Sequence, residues 1–235
     1  MGDWLHGKIP AIYWIVVLLD CIFLHFDLPY VAITESLLMP LLLVYLMLKD
    51  IDIARPAGKF IFYIGLIFAF FGDVLQIVIS NQTFFLISII AFMLMHISYS
   101  ISFYCLNRLH LKNMLFVVVT AVLILCISYV FLYFFGKEMG EMKPFIITYL
   151  FIFGTSISLA VNIAGNLDYR RTAVRYFIPA TVILVVEHIL LGLDLFYFNN
   201  NADVYAAIVV MYALAQYLMV KGVLQIYPHT VPEYV

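Results

Sequence analysis

Seven ionisable side chains sit where hydrocarbon is the expected surrounding. Asp20, Glu35, Asp73, Glu187 and Asp194 lie inside long apolar runs, and so do His96 and His188. Every Lys and Arg falls at the end of such a run or between runs, so no cation is placed to pair with the acids. An unpaired carboxylate in hydrocarbon is costly, and such a group keeps its proton, shares it, or lines a wet cavity. All three outcomes suit acid–base chemistry, and ionisable groups inside a span are functional by default. The centre of the pattern is the stretch 69–103. Gly72-Asp73 lies in one run, and His96 with Tyr99 lies in the next, across a short polar turn.

Helical spacing groups these residues. Asp73, Gln76 and Ser80 share a face, as do His96, Tyr99 and Phe103. Glu187 and Asp194 are two turns apart on one face, with His188 pointing about 100° away. Tyr205, Tyr212 and Gln216 form a polar stripe, and Thr148, Thr155, Ser158 and Asn162 form another. The second stripe reads as glue between helices. Asp73, His96, Glu187, His188 and Asp194 include types that bind zinc. No two of these histidines recur at i, i+3 or i+4, so no metal and no other cofactor is expected.

These residues need elements to position them. The 235-residue chain is 66% hydrophobic and only 11% charged, whereas about a quarter of a soluble domain is charged. A net charge of -2 with no basic tail gives nothing for nucleic acid to bind. Cys21, Cys105 and Cys126 are isolated, which argues against a disulfide framework or a thiolate metal site. Lys8 precedes the first apolar run, but no small-residue cleavage site follows, so that run is expected to remain as a span.

Runs long enough to cross a bilayer predict helices at 9–27, 30–48, 59–80, 83–106, 113–135, 144–165, 175–198 and 204–225. Breaks fall at Asp27-Leu28-Pro29, at 49–59 with Arg55-Pro56, at Asn81-Gln82, at Gly136-Lys137 and at Asn199-Asn200-Asn201. The expected fold is all-α: a polytopic transmembrane bundle of about eight helices forming a single integral membrane domain, 1–235.

Of the twelve Lys and Arg residues, only Lys137 and Lys143 fall on one side of that topology. The other side holds Lys8, Lys49, Arg55, Lys59, Arg108, Lys112, Arg170, Arg171, Arg175 and Lys221. This bias places both termini in the cytoplasm, in the cell (inner) membrane if the source is bacterial. Asp20, Glu35 and Asp194 are then expected in the outer half. Asp73, His96, Glu187 and His188 are expected near the middle, converging on a cavity between the midplane and the outer face.

Several short motifs together resemble one family. Gly72-Asp73-Val74-Leu75, then Phe92 and His96-Ile97-Ser98-Tyr99 up to Phe103, are similar to the core motif of the YhhN-like lysoplasmalogenases. Tyr212-Ala213-Leu214-Ala215-Gln216-Tyr217-Leu218 with Gly222 resembles their last helix, and Leu37-Leu38-Met39-Pro40-Leu41-Leu42 their second. There are departures. Glu35-Ser36 stands where the family usually has Lys-Pro, and Ala69 where it has a serine. Glu187-His188 stands where its seventh helix carries Ser-Asp. If that missing Asp is half of a catalytic carboxylate pair, the chemistry has changed, moved to Glu187, or been lost.

The resemblance implies a membrane hydrolase that cleaves the vinyl ether bond of lysoplasmalogens. The products would be a fatty aldehyde and a glycerophospho-head group, and the partners a lysophospholipid substrate and membrane lipids. Proton delivery to the alkene carbon needs an acid, and the resulting oxocarbenium ion needs a nearby negative group; two carboxyls can divide these tasks. The expected catalytic residues are Asp73, Glu187 and His96. Tyr99, His188, Asp194, Tyr212 and Gln216 are expected to bind substrate. A different class, a non-catalytic lipid-binding protein or a proton- or cation-coupled membrane carrier, would use the same buried acids.

Overall fold

In a computed structural model, residues 2–48, 57–77, 82–109, 114–198 and 201–227 are described. Ser80, Asn81, Lys49, Arg55, Pro56, Lys112, Asn199 and Asn200, used in the readings above, lie outside them. Among the described residues every regular element is helical. Eight helices are long and apolar enough to cross a membrane. They are α1 (Gly2–His25), α2 (Val31–Leu48), α3 (Ala57–Gln76), α4 (Gln82–Leu106) and α5 (Met114–Phe135). They continue as α6 (Lys143–Asn162), α7 (Arg170–Phe198) and α8 (Ala202–Ile226). Helices are the answer to hydrocarbon because each satisfies its own backbone.

The helix ends have local causes. Asp27 takes a left-handed φ of 50°, a conformation that Asp tolerates better than most residues. The amide of Leu28 then reaches back to the Phe23 carbonyl at 2.8 Å, and that of Asp27 to Leu24 at 3.2 Å. This paired wrap closes α1, and Pro29 next in the chain cannot continue it. At the other end of the chain, the Asn201 side chain accepts from the amides of Asp203 and Val204 and so starts α8.

Helices α1, α2, α3, α4, α6, α7 and α8 contact one another in that order, and α8 meets α1 again. This closes a ring, with α8 also touching α2. α5 stands outside, against α6, and only its Ile124 is buried. Because α5 is displaced, α4 and α6 become direct neighbours although they are not consecutive.

One end of the ring is solidly packed. Phe62 stacks on Tyr99 with centroids 4.6 Å apart, and Phe103 lies edge-on to Phe177. Phe177 sits so close to Gly222 that a Cβ there would lie 2.7 Å from the ring. Asn107 and Asn162 clamp α4 to α6: each side-chain amide donates to the other's backbone carbonyl, at 2.7 and 2.8 Å. Lys221 lies over the rings of Tyr45 and Tyr217.

Candidate active site

The opposite end encloses a cavity of about 370 Å³. Its lining comes from the beginnings of α2, α4, α6 and α8, the ends of α3, α5 and α7, and the turn at Glu138, Met139 and Met142. These segments all border the 1–2, 3–4, 5–6 and 7–8 connections, so the cavity lies in one half of the bundle. Among the described residues, α1 is the span that contributes nothing. Most of the wall is apolar. Most of the polar exceptions are concentrated: Glu35, Asp73, Gln76, Glu187, His188, Tyr149, Tyr205 and Tyr212, with Ser88, Ser128 and Glu138 apart from them.

Each of these has a structural reason for its position. Asp73 sits one turn from the end of α3, which stops at Gln76 rather than running to 80. It is therefore nearer the connection than a mid-span placement would put it. Gly72 lets the Phe92 ring of α4 approach to within 2.7 Å of where a Cβ would be, so α3 and α4 lie tightly together beside the acid. The α8 stripe works as the spacing predicts. Tyr205 faces Glu35, Tyr212 faces Asp73, and Tyr99 donates to the Gln216 carbonyl oxygen at 2.8 Å. Glu35 and Glu187 are the other carboxyls acting on Asp73.

A second group surrounds Tyr149. Its hydroxyl bonds to His188 Nε2 and lies 3.3 Å from His96 Nε2. His188 Nδ1 lies 2.9 Å from the Leu184 carbonyl and directly against the Glu187 carboxyl. A nitrogen facing a backbone carbonyl carries a proton, so with His188 neutral its Nε2 accepts from the Tyr149 hydroxyl. In that state Tyr149 has only lone pairs to offer His96, whose Nε2–H donates. The four residues form a contact chain from His96 through Tyr149 and His188 to the edge of Glu187. Phe153 clamps the chain, stacked 4.2 Å from His188 and edge-on to His96 at 5.1 Å.

Polar satisfaction marks the site most clearly. Among the described residues, eight buried side-chain polar atoms lack a hydrogen-bond partner. Four belong to this constellation: Asp73 Oδ2, His96 Nδ1, Tyr212 OH, and Glu187 Oε2, which touches His188 Nδ1 without hydrogen-bond geometry. Glu35 Oε1 on the cavity wall and Asp20 Oδ2 behind it make six. Each such atom costs about 1–3 kcal/mol, and a fold retains a cluster of them where a ligand or reaction uses them.

Some expected site residues are placed elsewhere. Tyr99 and Gln216 bond to each other below the cavity, and Gln216 Nε2 reaches Met95 Sδ at 3.6 Å. Asp194 does not line the cavity; its carboxyl accepts from the Asn201 amide at 2.9 Å and ties α7 to the start of α8. Asp194 lies seven residues beyond Glu187, about 10 Å along the helix axis, where the helix passes into a π turn over Asp194–Phe198. Asp20 accepts from the Thr34 hydroxyl. The α6 stripe is only partly interhelical glue. Thr148, Thr155 and Ser158 bond to carbonyls of their own helix, and Asn162 alone reaches another. Tyr149, adjacent to that stripe, is the residue the spacing did not single out.

The fold and site together define a polytopic helical membrane protein with a carboxyl- and histidine-bearing cavity inside one half of its bundle. The chain belongs to the YhhN family, whose sequence profile matches residues 31–223. That match takes in α2 to α7 and most of α8, and so every cavity-lining residue; α1, the span that adds nothing to the lining, lies outside it. No curated protein and no solved structure matches the chain.

Proposed function

We propose that the protein is a membrane hydrolase that cleaves the vinyl ether bond of lysoplasmalogens. The observation that carries this reading is the pairing of Asp73 and Glu187, two buried carboxyls, in one largely apolar cavity. The YhhN resemblance supplies the substrate class. In this reading Asp73 delivers its proton to the alkene carbon remote from the ether oxygen. The π electrons form the new C–H bond, and the positive charge is shared between the adjacent carbon and the ether oxygen. Glu187, oriented by His188, faces that charge. Water adds to the cationic carbon and returns a proton to Asp73. The resulting hemiacetal breaks its bond to the glycerol oxygen, releasing a fatty aldehyde and a glycerophospho-head group. Tyr149 and His96 hold His188, and Tyr212 faces Asp73.

The family's seventh-helix carboxyl is then supplied here by Glu187, one position earlier. The charge bias supports cytoplasmic termini, so the cavity would open towards the opposite face. Asp73→Asn is expected to abolish aldehyde release from a synthetic lysoplasmalogen by purified protein while the detergent-soluble fold persists. Undiminished release would overturn the assignment. A second reading, a proton- or cation-coupled carrier, draws on Asp20 and Glu35, buried acids outside this reaction scheme. Flux in liposomes without aldehyde release would favour it.

A further inference from the structure

The turn between α5 and α6 holds charged groups that the reaction scheme leaves unused. Glu138 is exposed, yet it lines the cavity together with Met139 and Met142. The cavity therefore reaches the surface at this turn. Lys137 and Lys143 flank these lining residues, and they are the only Lys or Arg on this face of the topology. Lys143 folds back over the turn, its Nζ 3.4 Å from where a Cβ of Gly136 would be. Among the described residues none of the three forms an ion pair with a protein group.

We propose that this turn is the head-group subsite: Glu138 receives the ammonium of a zwitterionic phosphoethanolamine head, and Lys137 and Lys143 receive its phosphate. The ligand class rests on the proposed function. The geometry fits it. Lys143 and Tyr149 are six residues apart on α6, which is about 9 Å along the helix axis. The phosphorus of a lysoplasmalogen and the alkene carbon to be protonated are separated by seven bonds, which span roughly 9 Å when extended. A head group held at the turn would thus set the vinyl ether at the depth of the Tyr149 chain. A carboxylate favours a primary ammonium, which donates three hydrogen bonds, over a quaternary one, which donates none.

The test measures binding of three single-chain ethers with no vinyl bond: 1-O-hexadecyl-glycero-3-phosphoethanolamine, its phosphocholine counterpart and head-group-free 1-O-hexadecylglycerol. The full-length protein is used in detergent. Glu138→Gln is expected to weaken the phosphoethanolamine ether about tenfold and to leave hexadecylglycerol unchanged, with Glu138→Asp restoring part of the loss. Lys137→Ala combined with Lys143→Ala should show the same selectivity. Equal losses for both ligands, or none for either, would overturn the subsite, as would an equal loss for the phosphocholine ether on Glu138→Gln. Glycerophosphoethanolamine without a chain separates lipid from soluble ligand: competition by it at concentrations matching the lysolipid would assign the turn to a free phosphoester instead. Because these ethers cannot be hydrolysed, head-group-selective binding by a protein that releases no aldehyde would retain the subsite and sink the hydrolase. Aldehyde release indifferent to Glu138→Gln would do the reverse.

Discussion

The two ends of the helical ring are built from the same kinds of residue and use them oppositely. At the packed end, Asn107 and Asn162 satisfy each other across α4 and α6, and aromatic rings fill the space against glycine. At the cavity end, Asp73, Glu187, His96 and Tyr212 each keep a buried polar atom without a partner. Only Ser102 Oγ and Asn162 Oδ1 of the unpartnered atoms lie away from the cavity half. One end therefore invests polar groups in stability, and the other carries them at a cost to stability. A stability–function trade of that kind is the physical signature of a site.

Substitutions can break or sharpen this contrast. The largest effect is expected for Glu187→Gln, which should lower kcat for aldehyde release by about 10²–10³-fold. Its thermal midpoint in detergent should hold or rise, because with His188 neutral the isosteric amide removes only the desolvation cost of a buried carboxyl. A fall in midpoint that tracked the lost activity would make Glu187 a structural residue and erase the contrast. Next comes Tyr149→Phe, which keeps the ring stacked on Phe153 but deletes the hydroxyl between the two histidines. We expect kcat to drop about tenfold with KM unchanged; an unaltered kcat would cut the chain out of the mechanism.

At the packed end the expectations reverse. Asn107→Ala strands the groups on Asn162 and should cost about 1–3 kcal/mol of stability while leaving kcat per folded molecule intact. Unfolding midpoints measured beside single-turnover rates would decide this. The smallest effect is assigned to Tyr99→Phe, which removes one hydrogen bond to Gln216. It should cost about 1 kcal/mol with kcat unchanged. A tenfold loss of kcat there would move the boundary of the site down to Tyr99, where the family motif alone places it.

Much of this was legible in the chain because hydrocarbon is an exacting solvent. Eight long runs left little freedom in placing the helices, and the observed ends fall close to those expected. Asp73, Glu187 and His188 stood out because ionisable groups are rare there, and the α8 stripe was readable because three polar positions recur on one face. Tyr149 was not legible: it is one of seventeen tyrosines and lies beside a stripe of hydroxyls that look more polar. Its role depends on α4, α6 and α7 meeting, which needs α5 to leave the ring. Asp194 misled because face arithmetic ignores depth: it lies about 10 Å beyond Glu187 along the axis, where the Asn201 amide takes its carboxyl.

α5 is held to the rest of the protein mainly through α6, and it meets α7 where the Phe131 ring occupies the space a Cβ on Gly192 would need. Ile124, Ile127, Ser128 and Phe131 of this single helix form part of the cavity wall. A wall one helix thick makes supply to the cavity a two-dimensional problem. For a lipid ligand crossing that wall, the governing concentration is its mole fraction in the surrounding leaflet. Diluting the lipid with inert phospholipid at constant bulk concentration should then slow turnover, while diluting the vesicles in buffer should not.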